Sequence, residues 1–558
     1  MGAEADDPRR WFTLAIVITA VLIVVLDNTV LNVAIPTILR DFHTTLPSLQ
    51  WVVTGYALTF ATLLIIGGRL ADLYGARRTF MVGAALFGAG SLLASLSTSV
   101  PVLILGEALI EGIGASLMLP ATLGILSRTF RGRERAAAFA AWGAVAGAAV
   151  AFGPILGGYL TTYHSWRWAF RINVIVTPLA ILGALVFMGR DARAERRERL
   201  DVPGALLVAA GMFCLVFGLS EGGTYGWSSP IKTLVVLDHR FWPASRPVSL
   251  IPLAFVAAAV LLSAFYVLER RKEREERSPL FEFGQLRHRG FRYGLLTAMV
   301  LAMGQLGVLF VLPVFLQDGK HLSAVDNGLW MVPLGAFIVV GAQVGGRLTR
   351  RLGVTGVVRA GLVIDSVGLV YIALSVSPHI TLLSVLPGFA LFGLGVGFAT
   401  SQLTNVILFD IDPDKSGAAS GANATVRQVG SALGVAVIGS ILSTQTIHHG
   451  IARVQAAALP AADKARALSQ IRARGLNFTA APGRSAAVLG RTLEGAVAAA
   501  ARPALILAAA IVVAGTALSM LIPTIAIPEG AVPPDEAVEG LEPVDPDPTV
   551  TVVDVRSA

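Results

Sequence analysis

The sequence predicts an all-α polytopic membrane protein: two six-helix bundles with two extra helices between them, fourteen spans in all. Three observations carry that prediction. First, 54% of the 558 residues are hydrophobic and only 14% charged, at a mean hydropathy of +0.70. Such a chain is too apolar for a water-soluble protein of this length. Second, the apolar residues fall in runs of membrane-crossing length, separated by short charged turns. Third, one of those turns, Gly68-Arg69-Leu70-Ala71-Asp72-Leu73-Tyr74-Gly75-Ala76-Arg77-Arg78, returns in outline as Gly346-Arg347-Leu348-Thr349-Arg350-Arg351-Leu352-Gly353, with Arg350 where the first copy has Asp72. Each copy follows an even-numbered run, which fits two halves related by an axis along the membrane normal.

In chain order the apolar runs cover 11 to 36, 50 to 68, 79 to 98, 101 to 127, 137 to 162, 168 to 189, 203 to 220, 250 to 268, 292 to 316, 327 to 347, 357 to 377, 380 to 408, 418 to 442 and 503 to 526. Arg77 and Arg78, Arg128 to Arg135, residues 190 to 199, residues 270 to 277, and Arg350 with Arg351 all fall on one side. The excess of positive charge in cytoplasmic loops makes that side the cytoplasm and places both termini there. The Arg-containing, Ala-rich stretch 443–502 then lies on the outer side, where long segments weigh little in that rule. The turns follow spans two and ten, so spans seven and eight stand outside the duplication. The chain divides into a cytoplasmic start (1–10), a first bundle (11–189), linkers with two extra spans (190–291), a second bundle (292–526) and an acidic tail (527–558). The charged linkers read as solvated surface, and the Pro-rich tail as disordered. The first run is too long for a cleaved signal core, so it stays as a span.

Composition also excludes classes. The net charge of +8 arises from Arg in short loops, which membrane topology explains without nucleic acid. A lone cysteine, Cys214, rules out disulfides and cysteine-ligated metal within one chain. The sequence has no metal-ligand cluster, nucleophile elbow or phosphate-cradling loop, so neither an enzyme nor a metal or cofactor is expected.

The first charged turn resembles the loop signature of the major facilitator superfamily, and the second is a degenerate copy of it. Six plus two plus six spans resembles that superfamily's fourteen-helix drug:proton antiporter branch. The resemblance runs from about residue 11 to 526. It implies that Gly68, Arg69, Asp72, Gly75, Arg77 and Arg78, with Gly346, Arg347 and Gly353, form a cytoplasmic gate loop, in which Asp72 meets the start of span thirteen. A helix N-terminus favours an anion, so that contact would latch the cytoplasmic side; the second copy lacks the acid, making the latch one-sided.

Three motifs carry chemistry. Leu26-Asp27-Asn28-Thr29-Val30-Leu31-Asn32-Val33-Ala34-Ile35-Pro36 places a carboxylate about 24 Å along span one from Trp11, well inside the hydrocarbon. There it faces a watery cavity or a partner, or holds a proton; the alternative is a structural Asp satisfied by neighbouring helices. The pattern resembles the first helix of the antiporter branch, which implicates Asp27, with Asn32, in proton or substrate handling. In span four, Gly106-Glu107-Ala108-Leu109-Ile110-Glu111-Gly112 puts Glu107 and Glu111 four residues apart on one helical face. Glu111 lies close to the depth of Asp27. The resemblance implies that spans one and four line a central cavity, so three acids would share one space. Gathered in a low dielectric they cannot all ionise, and at least one should hold a proton near neutral pH. The branch has R-x-x-Q-G here, so Ala108 and Glu111 replace its Arg and Gln; Glu107 has the alternative of snorkelling to the outer surface. The third motif, Gly143-x-x-x-Gly147 with Gly153-Pro154-Ile155-Leu156-Gly157-Gly158 in span five, permits close packing and bending and resembles the antiporter motif of exporters. Trp166 to Asn173 and Asn423 to Gly430 also resemble the branch.

Gln305 in span nine and Gln402 and Asn405 in span twelve could bond a ligand or simply join helices. Arg427, with Gln428, is the fallback coupling site; the resemblance implies that the helix of Asp365 is peripheral, which leaves that acid outside the site. The expectation is an exporter of bulky amphipathic compounds, cations among them, from a bacterial cell, driven by the proton gradient, monomeric in the lipid bilayer; the alternatives are a dedicated exporter of one metabolite or lipid, a membrane enzyme and a channel.

Overall fold

The computed structural model describes residues 9–524, apart from 44–45, 192–199, 237–238, 276, 278, 321, 378, 413–414, 458–459 and 475–483. The expected acidic tail and most of the charged linker 190–199 therefore lie outside the described residues, as do the side chains of Asn32, Gly147 and Pro154.

A backbone in hydrocarbon must satisfy its own polar groups, so each apolar run becomes a helix. The first six are α1 (Arg9–Asp41), α2 (Leu46–Tyr74), α3 (Ala76–Ser95), α4 (Val100–Thr129), α5 (Gly132–Tyr163) and α6 (Trp168–Phe187). The extra pair is α7 (Val202–Tyr225) and α8 (Leu250–Arg274), joined by a short antiparallel hairpin of β1 (Leu234–Val236) and β2 (His239–Trp242). Then come α9 (Arg289–Val314), α10 (Ala324–Ser375), α11 (Leu382–Ile407), α12 (Ser416–Ala456), α13 (Ala461–Arg474) and α14 (Arg484–Ser519). Local signals set several of these boundaries. The Asp201 carboxylate caps α7 by accepting from Gly204 N, Ser249 Oγ accepts from Ile251 N at the start of α8, and Thr381 and Ser384 cap α11 reciprocally.

Among the described residues, 12 helices are long and apolar enough to cross a membrane, two fewer than the fourteen spans expected. One of the 12, Asp326–Ser375, has 50 residues and would reach about 75 Å if straight, more than twice a bilayer core. It bends at Gly353 (φ 69, ψ 169), the glycine that ends the second copy of the charged turn. The 32-residue α5 is not among the 12. The stretch 443–502 was expected to lie along the outer surface. Its first part is a continuation of α12, which runs unbroken to Ala456, and α13 folds back so that Ala467 and Ile471 pack on Val454.

Helices α1 to α6 pack on one another, as do α9 to α12 with α14. The crossings repeat between the two sets. A Cβ on Gly90 of α3 would stand 2.6 Å from Glu111 N of α4, and one on Gly368 of α10 would stand 2.3 Å from Phe392 N of α11. Likewise a Cβ on Gly114 would meet Phe87 N at 2.4 Å, and one on Gly395 would meet Asp365 N at 2.3 Å. The duplication read from one loop therefore extends through the membrane as glycine-to-backbone contacts. The two sets meet where α2 and α4 pack on α12 and where α5 packs on α10 and α11; α7 lies across the seam, touching both α2 and α12.

Candidate functional site

The site is assembled by close helix packing. The first part of α4, Ile104–Glu111, is a π-helical turn. Turns of this kind are rare and concentrate at functional positions. Bonding five residues on widens the turn, so Glu107 and Glu111 still fall almost one above the other. Gly90 and Gly106, both without side chains, let α3 and α4 touch backbone to backbone. That approach brings Ser91 Oγ within 2.6 Å of Glu111 Oε1, to which it donates. From α6, Asn173 Nδ2 donates both to Asp27 Oδ1 at 2.8 Å and to Glu111 Oε1 at 3.1 Å. One amide thus ties α1 to α4. Each of the acids Asp27, Glu107 and Glu111 offers a carboxylate oxygen within 4.8 Å of those of the other two.

The depth match expected between Asp27 and Glu111 is thus a direct meeting, but the acids do not stand on the wall of an open cavity. Asp27 is 3% exposed and both glutamates are 0%. They are enclosed by α1, α3, α4 and α6, so Glu107 does not snorkel to the surface. Asp27 Oδ2, both oxygens of Glu107, and Glu111 Oε2 receive no donor. Glu107 nevertheless lies within hydrogen-bonding reach of both other carboxyls. Buried acceptors without donors cost free energy, and a proton carried between neighbouring carboxyls removes that cost. Three carboxylates also form an all-oxygen set of the kind hard cations take, so the same space could hold a cation.

The antiporter motif fixes α1 in this arrangement. A Cβ on Gly153 would overlap Thr29, and one on Gly157 would come within 3.0 Å of Val30, so α5 lies directly on α1 beside Asp27. Gly143 faces the Ser401 backbone of α11, and Gly158 is buried.

The gate loop is latched. Asp72 Oδ1 accepts from Gly417 N and Oδ2 from Ala418 N, both at 2.7 Å, at the first turn of α12. Arg128 stands 3.9 Å from the same carboxylate, and Arg69 is buried alongside. Gly68 packs on the Gly417 carbonyl. On the second copy Gly346 packs on Ala140, while Arg347 and Arg350 point to solvent, so no acid latch forms there. One partner was invisible in the sequence: Asp191 accepts from Arg77 N at 3.1 Å and Arg78 N at 3.0 Å, capping α3. Gly75 (φ 97) makes room for it, since a Cβ there would lie 2.1 Å from Asp191 Cγ. Arg77 Nη2 donates to Leu185 O.

The second half holds neutral polar groups. Gln305 is 5% and Gln402 0% exposed, and Gln305 Nε2 finds no acceptor among the described residues. Asp365 is buried between α10 and α11, away from them. Arg427 and Gln428 on α12 are part-exposed, although Arg427 lies deep among protein atoms. Ser91 and Asn173 were not foreseen as site residues. Asn173 closes the Trp166-to-Asn173 motif and stands in an apolar span, whereas Ser91 gave no signal.

Comparison with known proteins bears on the family and the fold. A profile described as Major Facilitator Superfamily matches residues 17–435. The chain is 34% identical to a probable actinorhodin transporter of Streptomyces coelicolor, over 86% of this chain and 80% of that one. It is 34% identical to the puromycin resistance protein pur8 of Streptomyces alboniger, over 80% and 84%. It is 35% identical to a lincomycin resistance protein of Streptomyces lincolnensis, over 78% and 85%. Its fold matches a solved structure of the human organic anion transporter MFSD10 with a TM-score of 0.54 at 14% identity, covering 91% of this chain and 100% of that one.

Proposed function

The chain belongs to the Major Facilitator Superfamily, and from that premise we propose that it is a drug:proton antiporter, exporting bulky amphipathic compounds across a bacterial plasma membrane. The family is one of transporters, and the relatives named above carry puromycin or lincomycin resistance, or transport of actinorhodin, in their names. The observation that supports proton coupling is the enclosed group of Asp27, Glu107 and Glu111, whose donor-free oxygens favour bound protons. In this reading the protons sit inside the first bundle and the substrate in the space between the halves. Losing a proton leaves like charges a few ångströms apart, which strains the contacts of α1 with α4 through Asn173. That strain favours the opposite-facing arrangement. The Asp72 latch opens and closes the cytoplasmic side, to which both termini belong. No cofactor is needed, and one chain suffices.

A second reading is a dedicated exporter of one compound, favoured by relatives whose names each specify one, such as a tetracenomycin C resistance and export protein. Proteoliposomes loaded with a pH gradient separate the cases. Gradient-dependent accumulation of several chemically unrelated dyes, abolished in Asp27→Asn and Glu111→Gln, supports the antiporter of broad range. Accumulation that follows a sodium gradient instead would assign the acids to a metal cation, and transport unchanged in both variants would make them structural.

A further inference from the structure

Arg427 has no function in this account of coupling, and its surroundings are those of a recognition group. It lies about 16 Å along α12 from Ser416, near the middle of the bilayer. Facing contacts fix its level: Gly430, less than a turn further on, packs on the Met299 carbonyl of α9, and Gly434 on that of Met303. Among the described residues its guanidinium makes no hydrogen bond and no ion pair, and no carboxylate stands close to it. The acids of the first half cannot answer it, because they are enclosed within α1, α3, α4 and α6. An unpaired cation at this depth is expensive unless it meets water or an anion, and its part-exposure leaves room for one or the other. One turn earlier on the same stripe of α12, Asn423 Oδ1 is also without a partner, although Asn423 is 1% exposed. Asn405 Oδ1 of α11 is likewise unpartnered near that level, since Ile407 packs on Gly294 of α9.

We infer that Arg427 is a specificity-determining residue that binds an acidic group of the exported molecule, a carboxylate or an ionised phenol, so that the substrates are amphipathic acids or zwitterions rather than simple cations. A guanidinium offers a planar fork matched to such an oxyanion. Polar side chains on α11 and α12 at the same level suit a molecule bearing hydroxyls or carbonyls beside its acid. The inference rests on the export reading, and it removes the acids of the first half from substrate contact: they carry protons, while the second half reads the ligand.

Three xanthene dyes of similar bulk test it in proteoliposomes of the full chain under a pH gradient: anionic carboxyfluorescein, zwitterionic rhodamine B and cationic rhodamine 6G. The native protein should move carboxyfluorescein and rhodamine B. Arg427→Gln should slow both by about tenfold or more, the loss of a charge-assisted bond, Arg427→Lys should restore part of that rate, and neither should slow rhodamine 6G. Native transport of rhodamine 6G alone would overturn the inference and leave the export reading standing. Equal loss of all dyes in Arg427→Gln, in protein that still elutes as a single folded species, would also overturn it by making Arg427 a coupling or structural group. Transport of none of the dyes by the native protein would overturn the broad export reading on which the inference rests.

Discussion

The chemistry of the first half turns on one side chain that no acid motif announces. Asn173 donates to two carboxylates on two different helices, and Ser91 supports the second of them. Replacing Asn173 by Leu removes both amide bonds and leaves Asp27 Oδ1 without a donor, at a cost of about 1–3 kcal/mol, while Ser91 still serves Glu111 Oε1. Asn173→Leu should therefore lower the thermal midpoint of the detergent-solubilised protein measurably, and Ser91→Ala should lower it less, because Asn173 still serves Glu111 Oε1. Equal midpoints for native protein and Asn173→Leu would mean that the amide is not engaged. The acids themselves were legible in the sequence, since a carboxylate in an apolar run has few innocent explanations. Their partners were not, because neutral polar residues in membrane helices are common and commonly do no more than join them. The cavity-facing position expected for the acids failed for a related reason: helical spacing places side chains on a face but does not say which neighbour covers that face.

At the scale of elements, two aspartates far apart in the sequence cap two helices. Asp72 closes the N-terminus of α12 across the seam between the halves, and Asp191 closes that of α3. Asp72→Ala would leave the Gly417 and Ala418 amides without their acceptor and release one of the ties on that side. Spin labels placed on the loop after α2 and near the start of α12 should then show a broader, longer distance distribution than in the native protein; an unchanged distribution would show that glycine packing alone holds the two helices. Gly75→Ala meets two obstacles at once, a positive φ and the Asp191 carboxylate. It should reduce folded yield and stability by about 1–3 kcal/mol, read as a lower thermal midpoint, whereas Gly189→Ala, where a Cβ meets nothing within 4 Å, should not. The Asp72 contact could be expected from the family's loop signature. The Asp191 cap could not, because a capping residue more than a hundred positions away carries no local pattern and read as part of a solvated linker.

Across the whole molecule the two halves share their geometry and divide their chemistry. The glycine contacts that bring α3 onto α4 recur between α10 and α11, yet Phe392 stands where the first half has Glu111. A duplicated scaffold thus keeps its clustered acids in the first half, with Asp365 standing apart in the second, the half that carries Arg427, and the extra helix α7 spans the seam, where Glu221 Oε1 accepts from Thr54 of α2 at 3.0 Å. The duplication and most of the apolar runs were legible from periodicity and from one repeated turn. The continuous α12 and the fold-back of α13 were not, since an Ala-rich amphipathic stretch suits a surface helix and an extended span equally. Exchange of enclosed protons in the first half for substrate in the second is checked by following a pH indicator in weakly buffered detergent solution while a transported dye is added to the protein. The native protein should release protons in proportion to the dye bound, and the variant carrying Asp27→Asn, Glu107→Gln and Glu111→Gln should bind dye without releasing any. Equal proton release from native and triple-variant protein would contradict the account.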